Sequence, residues 1–188
     1  MRVITGTLRG RRLYTLEGES VRPTEQRIKE AIFSILQFDI PYKRVIDLFS
    51  GSGQLGIEAL SRGALSCLFV DRSKEASAVI KKNIALCRLE DRARLLNCDA
   101  IDYLRRPPRQ DEIFDIAILD PPYGLGLAEK ALSLIDSRIA PGGIVLAEHE
   151  GGLMLPESFG GLRLRKRYSY GKRIGLTIYD KLPGEDII

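Results

Sequence analysis

The 188-residue chain has no tryptophan, one histidine and three cysteines. A single histidine, His149, excludes a multi-histidine metal centre and leaves any Ser-His-Asp scheme hanging on one side chain. Its place at a strand end makes it the holder of a loop, outside the catalytic set, and no metal site is expected. Cys67, Cys87 and Cys98 form no C-x-x-C pair, which argues against a zinc knuckle or a redox dithiol. Their apolar neighbours, as in Ser66-Cys67-Leu68-Phe69-Val70, make them small buried hydrophobes of a reducing compartment. No apolar run approaches the roughly 20 residues of a membrane span. Met1 to Gly6 lacks the apolar core of a signal peptide. The expectation is a cytoplasmic monomer with no membrane partner.

What is present is ordinary globular composition, 44% hydrophobic and 29% charged, in a chain of one-domain length. The net charge of +4 is unevenly spread. Residues 1–44 carry 9 basic and 5 acidic side chains, residues 45–150 carry 13 and 16, and residues 151–188 carry 7 and 4. Two basic flanks therefore enclose a mildly acidic middle. The densest basic stretches hold Arg9, Arg11 and Arg12 at one end, and Arg163, Arg165, Lys166 and Arg167 at the other, interleaved with Tyr168 and Tyr170. Such stretches suit a polyanion, because lysine and arginine displace counterions from phosphates. A solvated strand face would carry the same charges.

Residues 2–6 and 11–16 alternate around Gly6 and Gly10 and predict a short hairpin. Ile28, Ala31, Ile32, Ile35 and Leu36 recur at helical spacing, with Thr24 as N-cap. Hairpin and helix make an N-terminal extension over 1–40. From 41 to 183 the pattern becomes strand-then-helix. Strands are predicted at 44–48, 66–70, 94–98, 113–119 and 143–148, and helices at 54–62, 73–88, 100–105 and 126–138. Runs such as Ile116-Ala117-Ile118-Leu119 suit parallel strands buried on both faces. The alternation predicts an α/β, doubly wound, Rossmann-like fold. Residues 162–170 and 173–180 alternate around Gly171 and predict an antiparallel C-terminal hairpin, giving a mostly parallel seven-stranded sheet.

The sharpest local signal is Asp47-Leu48-Phe49-Ser50-Gly51-Ser52-Gly53-Gln54-Leu55-Gly56, at the turn from the first strand into a helix. Glycines there let the backbone turn tightly and approach a ligand. Gly51, Gly53 and Gly56 satisfy G-x-G-x-x-G, and Asp71 closes the next strand where a ribose-binding acid belongs. A nicotinamide-dependent oxidoreductase using NAD thus stays open. Against it stands Asp47, whose carboxylate would repel a pyrophosphate and attract an amine-bearing ligand. S-adenosylmethionine carries an ammonium and a sulfonium and no phosphate.

The second motif is Asp120-Pro121-Pro122-Tyr123, at the end of the 113–119 strand. Neither proline has an N–H, and Pro122 keeps Pro121 extended, so carbonyls project free of a helix. The carboxyl ends of the strands are where open α/β sheets bind ligands. An acid, a carbonyl and an aromatic ring make a device for a planar exocyclic amine: two acceptors for its hydrogens and a face for the base. A rigid turn would use the same residues.

Taken together, Asp47 to Gly53 and Asp120 to Tyr123 resemble the class I S-adenosylmethionine-dependent methyltransferases that modify amino groups of bases. Nearly the whole chain, about residues 2–180, resembles the bacterial 16S rRNA guanine-N2 methyltransferases of the RsmD family. The strings Arg2-Val3-Ile4-Thr5-Gly6, Arg22-Pro23-Thr24 with Arg27, and Glu58-Ala59-Leu60-Ser61-Arg62-Gly63 point to that family, and the resemblance continues through Asp71-Arg72 and Glu148-His149. Arg173 departs from it, standing where such proteins carry a threonine. The resemblance implies S-adenosyl-L-methionine as cofactor, with Phe49, Ser50, Gly51 and Gly53 along its methionine and ribose portions. Asp47 would serve its ammonium directly or through water, Asp71 its ribose hydroxyls, Arg72 and Ala100 its adenine, and Asp99 the adenine amino group. Asp120 and the Pro121 carbonyl would orient the guanine amine, with Pro122 stiffening the turn and Tyr123 stacking on the base. Arg22, Thr24 and Arg27 would close over the cofactor's methionine end or meet RNA, and Arg9, Arg11, Arg12, Arg165 and Lys166 of the basic stretches would meet RNA. The partner implied is 16S rRNA within a small-subunit particle. An adenine-N6 methyltransferase shares the Asp-Pro-Pro-Tyr motif, and a non-catalytic RNA-binding module shares the basic flanks.

Overall fold

The computed structural model describes residues 1–16 and 23–183, with the side chains of residues 23–25 left aside. Arg22 and the capping side chain of Thr24 fall outside the described residues. The chain condenses into two compact units, Met1–Ala100 and Ile101–Ile188.

In the first unit, helix α1 (Pro23–Ile35) turns Ile28, Ile32 and Phe33 into the core. Strands β1 (Arg44–Leu48), β2 (Ser66–Asp71) and β3 (Ala93–Asn97) run parallel in the order β3-β2-β1. Ile46 registers with Leu68, and Leu68 with Arg94. All but the first residue of β1 are buried, as the apolar run requires. Helices α2 (Gln54–Ser61) and α3 (Lys74–Cys87) follow β1 and β2. The Ser73 hydroxyl accepts the Ala76 N–H at 3.1 Å and caps α3.

Residues 1–13 close as the expected short hairpin, Val3 donating to the Arg11 carbonyl at 3.0 Å, Gly10 to the Val3 carbonyl at 2.9 Å and Leu13 to the Met1 carbonyl at 2.9 Å around the Arg2–Arg12 bridge. The turn between its two arms is tied to α2. Ile4 and Thr5 donate their N–H groups to Glu58 at 2.7 and 2.9 Å, Thr7 donates to the Ser61 carbonyl at 2.9 Å, and Leu8 to the Ser61 hydroxyl at 3.0 Å. Gly6 approaches so closely, at φ +87°, that a Cβ there would lie 1.9 Å from the Ser61 carbonyl oxygen.

In the second unit, α4 (Ala100–Arg105) leads to β4 (Phe114–Leu119), α5 (Leu127–Ile135), β5 (Ile139–Glu150), β6 (Ser158–Phe159), β7 (Leu162–Tyr170) and β8 (Ile174–Lys181). Their order is β4-β5-β8-β7-β6, with β4 and β5 parallel and the remaining pairs antiparallel. Three expectations need correction. The two-residue β6 is an eighth strand that periodicity could not signal. α5 stops at Ile135 and gives way to a 3-10 turn, Asp136–Arg138. β5 begins at Ile139, ahead of the expected 143, across a register shift in which Phe114 pairs with Ile139 and Ile116 with Ile144; Gly142 at φ +73° makes the bend, and a Cβ on Gly143 would lie 2.8 Å from the Asp115 carbonyl oxygen.

Arg138, fully buried, fastens this unit. It pairs with Glu112 at 3.0 Å, donates to the carbonyls of Tyr103 and Arg106 at 2.7 Å each, and lies 4.0 Å from the Tyr103 ring centroid. Among the described residues no helix is long and apolar enough to cross a membrane.

Candidate active site

The glycine loop leaves β1 through Phe49, a non-glycine residue at φ +65°. The buried Ser50 hydroxyl donates to the Asp47 carbonyl at 2.6 Å and accepts the Val70 N–H at 2.9 Å, tying the loop to β2. The Ser50 backbone is engaged as well, its N–H donating to the Val70 carbonyl at 3.1 Å and its carbonyl accepting the Gly53 N–H at 2.7 Å. Gly51, at φ +53°, has open space where a Cβ would stand. Gly56 is there for packing: a Cβ would lie 2.2 Å from the Phe69 ring and 2.7 Å from the Cys67 sulfur.

Asp47 is 0% exposed. One carboxylate oxygen accepts the Gly56 N–H at 2.9 Å, and the other, Oδ1, is buried without a hydrogen-bond partner. A donor in the first turn of α2, of the kind a dinucleotide pyrophosphate would use, is thus already taken by an anion of the protein itself. Burial pushes the Asp47 carboxyl up to about 7, with the Gly56 N–H opposing and the Asp71 charge adding to the rise. An unfolded aspartate titrates near about 3.9. The native state therefore holds more protons than the unfolded chain across this window, and stability falls as pH rises through it, levelling off above about 7. Asp47→Asn should remove that slope in the cofactor-free protein. The urea midpoint of the variant relative to wild type should rise between about pH 5 and pH 8; an offset independent of pH would refute the assignment.

Asp71 ends β2 with both oxygens engaged, Oδ2 accepting the Gly51 N–H at 2.8 Å and Oδ1 the Ser73 N–H at 2.8 Å. Each oxygen keeps a lone pair for a hydroxyl donor. Asn97 donates to the Asp71 carbonyl at 2.9 Å. Arg72 and Asp99 face each other at 3.9 Å across an exposed gap, and Ala100 is buried beside Asp99. The structure thus brings Gly51 onto Asp71 and Arg72 towards Asp99. These features fit S-adenosylmethionine: an open glycine backbone, a held carboxylate for ribose hydroxyls, and an orphaned buried acid in place of a phosphate seat.

Sequence reasoning passed over two groups in this unit. Glu58, fully buried, accepts Ile4 and Thr5 and pairs with Arg62 at 2.9 Å and Lys29 at 3.4 Å. Asn83, also fully buried, accepts the Tyr14 N–H at 2.8 Å and donates to the carbonyls of Tyr14 and Ser52 at 3.0 Å each. A polar residue on a helix's buried face was the signal available for both.

In the second unit, Asp120 is half-buried at the end of β4, Pro121 is buried, and Pro122 and Tyr123 are exposed. Tyr123 keeps 43% of its surface exposed while its hydroxyl donates to Glu148 Oε1 at 2.5 Å. Burial, then the Glu148 hydrogen bond, raises the Tyr123 phenol well above its ordinary range, so it stays protonated. His149 is buried between the Thr177 hydroxyl and the Glu150 carbonyl, each at 2.9 Å. A carbonyl only accepts, so Nδ1 carries a proton towards Glu150. The histidine locks β5 to β8.

The basic residues divide. Arg9, Arg11, Arg12, Arg27 and Lys166 are exposed, and Lys166 lies 5.0 Å from the Tyr168 ring centroid. Arg165 is engaged twice by Asp180, so its charge is locally neutralised.

The family described as conserved hypothetical protein 95 matches residues 1–179. Ribosomal RNA small subunit methyltransferase D of Haemophilus influenzae is 37% identical over 153 residues, 80% of this chain and 79% of the relative. The solved chain yhhF of Escherichia coli, named as a methyltransferase, superposes with a TM-score of 0.84 at 29% identity, covering 97% of this chain and 98% of that one. A Thermus thermophilus 16S rRNA N2 G1207 methyltransferase, solved with AdoMet and guanosine, gives 0.68 at 22% identity, over 88% of this chain and 44% of that one. The architecture is the α/β Rossmann-like methyltransferase fold.

Proposed function

The chain belongs to the conserved hypothetical protein 95 family of RsmD-type rRNA methyltransferases, and from that premise we propose that it methylates the exocyclic N2 of a guanine in 16S rRNA within a small-subunit particle. S-adenosyl-L-methionine is the methyl donor, supplying a methyl carbon on a sulfonium to an attacking nitrogen.

The observation that carries the reading is the Asp120–Tyr123 corner, where an acid, a proline carbonyl and an exposed ring follow a buried strand. Asp120 and the Pro121 carbonyl accept the two hydrogens of the amine and point its lone pair. Tyr123 stacks on the base. The guanine amine is a poor nucleophile because its lone pair is delocalised into the ring. Asp120 offsets this by accepting charge from the N–H as the nitrogen becomes positive. Positioning supplies the rest, since no covalent intermediate is needed. In the first unit Asp71 holds the ribose hydroxyls, and Phe49 to Gly53 line the methionine and ribose. Arg72, Asp99 and Ala100 border the adenine. Asp47, sealed from solvent, acts on the cofactor's ammonium through the loop it braces or through a water.

The guanine assignment draws support from the neighbour of the same fold that acts at a 16S rRNA guanine N2. Mass-spectrometric mapping of rRNA from a strain lacking the protein tests it. Loss of one N2-methylguanine from 16S rRNA is expected. Loss of an N6-methyladenine would move the reading to the adenine enzyme, and unchanged rRNA would overturn both. Removing Arg11, Arg12 and Lys166 together should weaken particle binding and flatten its dependence on salt, by up to about 0.9 in the log–log slope per lost phosphate contact. An unchanged slope would leave these side chains as mere solvated charge.

A further inference from the structure

Tyr123 sits on a short exposed corner with glycines of positive φ at 124 and 126, a backbone that does little to hold a side chain. Its ring is open to solvent, yet its hydroxyl reaches back 2.5 Å to a carboxylate on β5 that is only 9% exposed. Glu148 is fixed in turn. Its backbone registers with Leu176 of β8, and the next residue, His149, is locked to Thr177.

We propose that Glu148 is a positioning residue for the transfer step, clamping the Tyr123 ring in the plane on which the target base stacks. The inference rests on the functional reading above, which assigns Tyr123 to the base. Two physical effects follow from the clamp. An exposed tyrosine samples several rotamers, and a ring held in one of them offers the base a seat without an ordering cost at binding. A short O–H···O⁻ bond also shifts electron density towards the phenol ring, and an electron-rich face favours the positive charge that develops on the base nitrogen. The second effect operates in the transition state more than in the ground state, so it should appear in kcat more than in KM.

The test compares wild type with Tyr123→Phe, Glu148→Leu, Glu148→Gln and the Tyr123→Phe/Glu148→Leu double variant, using small-subunit particles from the deletion strain. Tyr123→Phe and Glu148→Leu should each lower kcat about tenfold with S-adenosylhomocysteine affinity unchanged. Removing both should cost no more than removing either. Glu148→Gln keeps an acceptor oxygen without the charge and should recover the part of the loss that comes from holding the ring. Losses that multiply in the double variant, or a glutamine no better than leucine, would overturn the proposal.

A proton spectrum of the ligand-free protein with labelled Tyr123 is read alongside. A low-field hydroxyl proton should be present in wild type and absent from Glu148→Leu. If wild type transfers no methyl group to rRNA, the functional reading falls, while the hydroxyl proton still decides the clamp. Its absence from wild type would overturn the anchor whatever the substrate.

Discussion

Asp120→Ala is expected to reduce methyl transfer to 16S rRNA by about 10²–10⁴-fold, the range in which a positioned acid–base group acts. S-adenosylhomocysteine should bind the variant as it binds wild type, because the proposed cofactor residues Asp71, Asp99 and the glycine loop lie in the other compact unit. The aspartate ends a buried strand and is followed by two prolines of fixed φ, so truncation leaves little freedom for the corner to rearrange. Asp120→Asn refines the point. An amide oxygen still accepts from the amine but neither takes its proton nor carries charge. If it retains a substantial part of the rate, orientation of the lone pair is the main contribution; if it matches alanine, the negative charge is. Wild-type turnover by Asp120→Ala would reduce the motif to a rigid turn.

The largest expected loss of stability comes from Glu58→Ala. Its carboxylate is fully buried among the Lys29 ammonium, the Arg62 guanidinium and two backbone N–H groups. Removing one partner of a buried pair strands the other, which typically costs about 3–5 kcal/mol. Here two cations and two amide donors would lose their shared acceptor together, Lys29 keeping the Arg2 carbonyl and Arg62 the Phe33 carbonyl. The same substitution releases Ile4 and Thr5, and with them the segment carrying Arg9, Arg11 and Arg12. Urea unfolding should therefore show a markedly lower midpoint, and limited proteolysis should cut within the first sixteen residues before the rest of the chain. Glu58→Gln should fall between, since it still accepts from the N–H groups but leaves the cations uncompensated. A Glu58→Ala protein within about 1 kcal/mol of wild type would mean that these contacts contribute little net stability.

Much of this was legible from residue order. The strand of 44–48 coincides with Arg44–Leu48, the helix of 73–88 differs from Lys74–Cys87 by a residue at each end, and the closing hairpin lies within a residue of its expected place. Periodicity reports such elements well because each buries one continuous apolar face. It failed where backbone groups found partners far away in sequence. The N-terminal hairpin forms where expected, but its turn is held by Glu58 and Ser61, more than fifty residues on, which no local pattern reported. The first residues of β5 were hidden because an irregularity, with Gly142 at φ +73°, separates the pairing at Ile139 from that at Ile144.

The site divides along the same line. Residue identity and order alone determined the Asp47–Gly56 loop, the Asp71 position and the Asp120–Tyr123 corner, since their chemistry depends on neighbours in the chain: glycines that permit a turn, prolines that remove donors, an acid where a strand ends. Only the tertiary structure decided what those groups are tied to. It sealed Asp47 behind the Gly56 N–H, committed the Ser50 hydroxyl to β2, neutralised Arg165 with Asp180, and joined Tyr123 to Glu148. Burial and hydrogen bonding between distant segments set charge state and orientation, and neither leaves a local pattern in the sequence.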